Sequence, residues 1–151
     1  MSILGLFMFF SLFCSKNQKL VKLWKREHKE IVNAAQKVIN AYSLDDKNSV
    51  RRELIVLRKI ALEHLMKEDI ELNKLLREEK NQEDEMRSLI NEFTKTFRDT
   101  KSALLTFLRE YTQENAKLDK NFFDTFNKIV GVLAQRIEFE ENNLYISLEE
   151  R

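Results

Sequence analysis

In 151 residues the chain contains no proline and only two glycines, Gly5 and Gly131. That near-absence constrains the fold more than any single motif does. Hairpins and tight turns draw on glycine for positive φ and on proline for preset corners, whereas helix interiors are weakened by both. A chain so poor in the two is expected to be all-α.

The apolar residues recur at three- and four-residue steps, the spacing of a helical stripe, over four segments. Segment 18–42 aligns Val21, Trp24, His28, Ile31, Ala35, Val38 and Tyr42. Segment 49–78 aligns Leu54, Leu57, Ala61, His64, Glu68, Leu72 and Leu75. Segment 82–113 aligns Met86, Ile90, Phe93, Phe97, Thr100, Leu104, Phe107 and Tyr111, and segment 119–148 aligns Phe122, Phe126, Ile129, Leu133, Arg136, Glu140 and Leu144. The joining sequences "SLDDKN", "EKN" and "ENAKL" are short and polar. Short links force successive helices to run in opposite directions, which predicts an antiparallel up-down-up-down four-helix bundle. Ser49 and Asp119 are the expected N-caps of the second and fourth helices, because their side-chain oxygens can accept from the free amides of a first turn.

The length suits one domain, read as residues 17–151, preceded by an apolar segment, 1–16. Basic and acidic side chains balance at 26 against 25, so no global field selects nucleic acid as a partner. Cys14 is the only cysteine, which excludes an internal disulfide and a cysteine metal cage and fits a cytoplasmic setting. The opening "MSILGLFMFFSLFC" is apolar, but about twelve helical residues cover about 18 Å, short of the roughly 30 Å hydrocarbon core. With Lys16, Lys19, Lys22, Lys25 and Arg26 following, residues 1–14 are read either as a contact with a membrane surface or as a tail folded onto the bundle or a partner.

Polar residues interrupt the apolar stripes at a few positions. "HLMKEDIELNKLL" at 64–76 places His64 and Glu68 one turn apart, and "RIEFEENNLYISL" at 136–148 repeats the pattern with Arg136 and Glu140. His28 interrupts the first stripe, and Glu83 lies on the backward extension of the third. Singly, a histidine on an apolar stripe is usually a hydrogen-bonded core residue, and a glutamate there is usually a solvated edge. In an antiparallel bundle all six fall at one end, facing one another. Burying so many ionisable groups unpaired costs several kcal/mol each, so a partner is required. Imidazole and carboxylate are common ligands of iron, manganese and zinc, and bundle cores host such ions between facing helices.

These segments resemble the hemerythrin-like, or HHE cation-binding, family. "LWKREHKEIV" is similar to that family's first-helix Glu-His segment, "HLMKEDIELNKLL" to its second-helix signature, and "RIEFEENNLY" to its fourth-helix signature; "EDEMRSLI" is placed like its third-helix histidine segment. The resemblance covers about residues 20–148. It implies a non-haem di-iron centre held mainly by histidines with two carboxylates, in proteins that carry oxygen, sense oxygen or redox state, or handle iron and nitric oxide. Carried over by position, His28, His64, Glu68 and Glu140 match ligand types. Glu83 and Arg136 stand where the family has histidines, and Arg87 where some members have another, so the histidine-rich set cannot be assembled here.

Arginine stays protonated and cannot ligate a cation, but its fork matches carboxylates. Arg136 offsets part of the charge of Glu68, Glu83 and Glu140, more so if Arg87 also points inward, and the remainder suits one divalent ion better than two. The leading expectation is a carboxylate-rich iron, manganese or zinc site formed by His28, His64, Glu68, Glu83 and Glu140. Such a site fits oxygen or redox sensing, with O2 or another small diatomic as ligand, or iron handling, better than oxygen carriage. The alternative is a metal-free structural or interaction bundle in which arginine and glutamate replace the metal. Redox catalysis ranks last, since no proton relay or substrate pocket can be read from the stripes, and the chain is taken as a non-enzyme.

Overall fold

A computed structural model describes residues 15–78 and 84–150. Gly5, Cys14, Glu83 and the apolar segment 1–14 lie outside the described residues, and with them the expected membrane contact. Four long helices are present and no strand is found among the described residues: α1 (Lys16–Ser43), α2 (Lys47–Glu78), α3 (Asp84–Tyr111) and α4 (Lys120–Phe139). The fourth does not run unbroken to Leu148 as its stripe predicts. A π-helical turn, Glu140–Leu144, intervenes before the short α5 (Tyr145–Glu149). No described helix is long and apolar enough to cross a membrane.

The helix ends follow local chemistry. Ser15 caps α1 in a reciprocal capping box with Gln18. The amide of Asp45 bonds to the carbonyl of Tyr42 and that of Asp46 to Ala41, closing α1 with Asp45 in the left-handed region at φ 55°. Asp46 then caps α2, its carboxylate accepting from the Ser49 amide at 3.1 Å. Ser49 is therefore not the cap; the helix begins earlier, at Lys47, because an acid three residues upstream of the expected start already accepts from a free amide of the first turn. Asp119 caps α4 as expected, accepting from Phe122 at 3.0 Å.

The four helices form a bundle. Tyr42, late in α1, stacks on Phe123, early in α4, at 4.1 Å between ring centres. Gln18, early in α1, reaches the carbonyl of Glu149. Arg51 and Arg58 of α2 meet Ala116 and Thr112 beyond the end of α3. The core divides in two. One apolar cluster gathers Val38, Leu54, Leu57, Leu108, Phe122 and Phe126; the other gathers Val21, Trp24, Leu72, Ile90, Phe93 and Tyr145. Between them lies a layer of buried ionisable groups: His28, His64, Glu68, Arg136 and Glu140.

Candidate metal centre

Each member of this layer occupies a stripe position, so the same periodicity that buries leucine and phenylalanine carries it inward. Glu68 and Glu140 are 0% and 1% exposed, and His28, His64 and Arg136 no more than 4%. His28 projects from α1, His64 and Glu68 from successive turns of α2, Arg136 from the last turn of α4 and Glu140 from the start of the π turn.

The two imidazoles meet edge to face with their Nε2 atoms 3.2 Å apart. Glu140 Oε2 lies 3.1 Å from the Nε2 of His28 and 4.0 Å from that of His64, and Glu68 Oε2 lies 3.4 Å from the Nε2 of His64. The potential donor atoms of these four residues all fall within 4.8 Å of one another. The outward nitrogens face other acids. His64 Nδ1 is 3.0 Å from Glu27 Oε1, while His28 Nδ1 makes no hydrogen bond and points toward Glu141 at 3.8 Å. A carboxylate on Nδ1 fixes the proton there and turns the Nε2 lone pair inward, the outer-sphere arrangement that orients imidazole ligands.

Arg136 sits behind the carboxylates. Its Nε donates to Glu140 Oε1 at 2.8 Å and its Nη2 to Glu68 Oε1 at 3.0 Å. The guanidinium thus occupies the Oε1 edge of both acids and leaves both Oε2 atoms to the histidines. The side chain packs over the Phe93 ring at 4.8 Å. Arg87 does not join this layer; it donates to the carbonyl of Leu76 where α2 nears its end.

Tyr145 is the member that the stripes do not predict. Its hydroxyl lies 2.6 Å from Glu140 Oε2, 2.7 Å from Glu68 Oε2 and 3.2 Å from His28 Nε2. Positions five apart on an α-helix are turned by about 140°, so Glu140 and Tyr145 cannot both face one point on a regular helix. The π turn between them removes that conflict, a local irregularity of the kind often found at functional sites. Glu27, next to His28 in sequence, and Glu141 are likewise outer partners that the stripe reading omits. The only signal for them was their adjacency to ligand-type residues.

Charge and burial set the protonation of the layer. Burial, reinforced by the positive character of His64, pushes His28 down to about 4, so it is neutral at neutral pH. For His64, burial works downward but is outweighed by hydrogen bonds and attraction from Glu68 and Glu27, and the net shift is upward. Glu68 resists burial through its hydrogen bonds with His64 and Glu140 and the charges of His64 and Arg136, and stays well below the usual carboxylate range. Glu140 goes the other way, driven well above that range by burial and by the Glu68 charge. Two acids this close, with one guanidinium between them, share a proton in the absence of a metal ion. Tyr145 has only one hydroxyl proton for two carboxylates, so a protonated Glu140 that donates to the phenol oxygen, while the phenol donates to Glu68, satisfies the geometry. Burial and the two acids keep Tyr145 a neutral phenol.

The donor set also suits a metal ion. An ion about 2.1 Å from each donor holds neighbouring donors about 3.0–3.4 Å apart. The His28–His64, His28–Glu140 and His64–Glu68 separations, 3.2, 3.1 and 3.4 Å, lie in or beside that range, while His64–Glu140, at 4.0 Å, is wider than it. With both histidines neutral, two carboxylates against one guanidinium leave one net negative charge, which suits a single divalent ion. Of the expected ligands, His28, His64, Glu68 and Glu140 are brought together. Comparison with protein-family models, with curated proteins and with solved structures finds no match to this chain.

Proposed function

We propose that this protein binds one divalent metal ion, iron in the first place and manganese or zinc as alternatives, through His28, His64, Glu68 and Glu140. The bundle is then an antiparallel, up-down-up-down hemerythrin-like fold with a thinned ligand set. Its role is oxygen or redox sensing, or iron handling, and not oxygen carriage. The observation that supports this reading best is the convergence of two imidazole Nε2 atoms at 3.2 Å, with Glu27 holding the other nitrogen of His64. Two inward lone pairs repel unless a metal ion or a proton lies between them. Two carboxylate oxygens at the same point supply the matching charge.

The chain's own residues shape what such an ion can do. A bound iron supplies one-electron chemistry and a coordination position for a small diatomic ligand. Arg136 holds the carboxylates by their outer oxygens, Glu27 orients His64, and Trp24 and Tyr145, tilted against each other at 5.4 Å, seal the layer on one side. Replacing family histidines by Arg136 and by Glu83, which lies outside the described residues, favours one ion over two.

A second reading has its own support. Arg136 and Tyr145 alone give both carboxylates hydrogen-bond partners, as a metal-free interaction bundle requires. Elemental analysis of protein purified without chelator separates the two. The metal reading expects about one equivalent of iron, manganese or zinc per chain, and expects His64→Ala to lower bound metal at least tenfold. Protein that neither retains nor rebinds any of these ions, and whose melting temperature ignores added metal, would sink it.

A further inference from the structure

A pocket of about 290 Å³ opens between α2 and α3, away from the histidines, and reaches the layer from its arginine side. Leu72, Ile90 and Phe97 form its apolar walls, and Arg136, above the Phe93 ring, lines its inner end. Arg136 is 4% exposed, and its hydrogen bonds use only Nε and Nη2; Nη1 has no protein partner among the described residues. A guanidinium nitrogen that the protein leaves unpaired beside a pocket is free to donate to an acceptor that arrives there. The rim carries Arg98 and Lys101, the latter paired with Asp69. Positive groups thus outnumber negative ones along the way in.

We infer that this pocket binds a small monocarboxylate with a short apolar tail. The carboxylate accepts from Arg136 Nη1 in a charge-assisted hydrogen bond, and the tail lies against Leu72, Ile90 and Phe97. The volume sits at the lower edge of small-molecule sites, with room for an acid of about four to six carbons. An inorganic anion would leave the apolar walls unused, and an uncharged acceptor would meet Nη1 without the charge assistance that a carboxylate brings. The inference does not depend on a metal ion at the histidines, because Arg136 keeps its two glutamates in either state.

The test is calorimetric titration of the full chain with hexanoate, hexanol and acetate, each with and without a chelator. Saturable hexanoate binding that survives chelation, with hexanol and acetate about tenfold weaker or worse, is the expected result. Thr94 lines the pocket and is exposed, so Thr94→Trp fills the opening without touching the core. That variant is expected to fold, keep the wild-type metal content and lose hexanoate binding. Arg136→Lys, which keeps a charge but not the fork, is expected to weaken hexanoate about tenfold or more. Hexanol binding as tightly as hexanoate, no binding of hexanoate, or binding unchanged in Thr94→Trp would each overturn the inference. Hexanoate binding that vanishes with chelator places the acid on the metal and also overturns it, while leaving the metal reading intact.

Discussion

The two apolar clusters on either side of the ionisable layer are built differently. The one around Leu54, Leu108, Phe122 and Phe126 uses regular helices, ordinary caps and stacked rings such as Phe107–Phe122 at 5.7 Å. Both border the ionisable layer, but only the one around Trp24, Phe93 and Tyr145 contains the π turn. Trp24 Nε1 is left without a partner there, as is the neighbouring His28 Nδ1, against Arg51 Nε alone toward the other end among the described residues. Regular packing holds the four helices at one end, and departures from it at the other aim side chains at a point.

The largest test of that contrast is Arg136→Ala. Truncating Leu54 at the regular end leaves a cavity and costs about 2–5 kcal/mol. Truncating Arg136 leaves Glu68 and Glu140 facing each other in the interior without their guanidinium, a loss of about 3–5 kcal/mol by the same measure. Chemical denaturation in the presence of chelator gives both numbers. Only the arginine variant is expected to regain part of its loss on adding a divalent ion, because only there is a positive charge missing. An Arg136→Ala protein within about 0.5 kcal/mol of wild type would show that the layer is not a held ion network.

The difference between the ends also explains what was legible in the sequence. At the regular end the three- and four-residue steps are sufficient: Leu54, Leu57, Leu104, Phe107, Phe122 and Phe126 are buried as their stripes predict. The same steps carry His28, His64, Glu68, Arg136 and Glu140 inward, so most of the layer could be read without coordinates. Tyr145 could not. One π turn changes the register after Glu140, so Leu144 and Tyr145 are both buried where a straight helix would choose one. The orientation of Arg136 was also hidden, since periodicity says that a side chain points inward but not which oxygen of a carboxylate it meets.

A second test uses acid. Folded His28 titrates near 4 and the unfolded imidazole near 6.5, so between those values the unfolded chain binds the proton and the folded chain does not. Stability from this group is therefore present above 6.5 and lost as the pH falls toward 4, with a limiting slope of about 1.4 kcal/mol per pH unit. Glu140 has the opposite sign. Its raised folded value makes it bind a proton that the unfolded chain releases, so its contribution is lost as the pH rises above the ordinary carboxylate range. The two oppose each other in metal-free wild type, and Glu140→Gln is expected to uncover the His28 slope. Melting curves of the metal-free variant from pH 4 to 7 check it; a flat profile would mean that His28 is not held neutral by burial.

Tyr145→Phe sharpens the comparison further. It removes one hydroxyl that satisfies two acids, and is expected to cost about 1–3 kcal/mol in metal-free protein, the range for leaving buried polar groups unanswered. The phenyl ring still packs on Trp24, so the π turn and the fold are expected to persist. If the loss shrinks when a divalent ion is added, the ion and the hydroxyl serve the same carboxylate oxygens. An equal loss with and without metal would place the hydroxyl outside the coordination layer.

The smallest effect belongs to ordinary helix, where local rules alone decide. Gly131 lies on the outer face of α4, with negative φ, and a methyl group added there meets nothing within 4 Å. Glycine inside a helix costs up to about 1 kcal/mol relative to alanine, mainly through the freedom it has when unfolded. Gly131→Ala is therefore expected to raise stability by about 0.5–1 kcal/mol, with metal content and hexanoate binding unchanged. Five residues along the chain, at Arg136, truncation to alanine is expected to reverse the sign and multiply the magnitude. A gain at Gly131 that also altered metal binding would mean that α4 transmits strain between the two ends and that they are not independent.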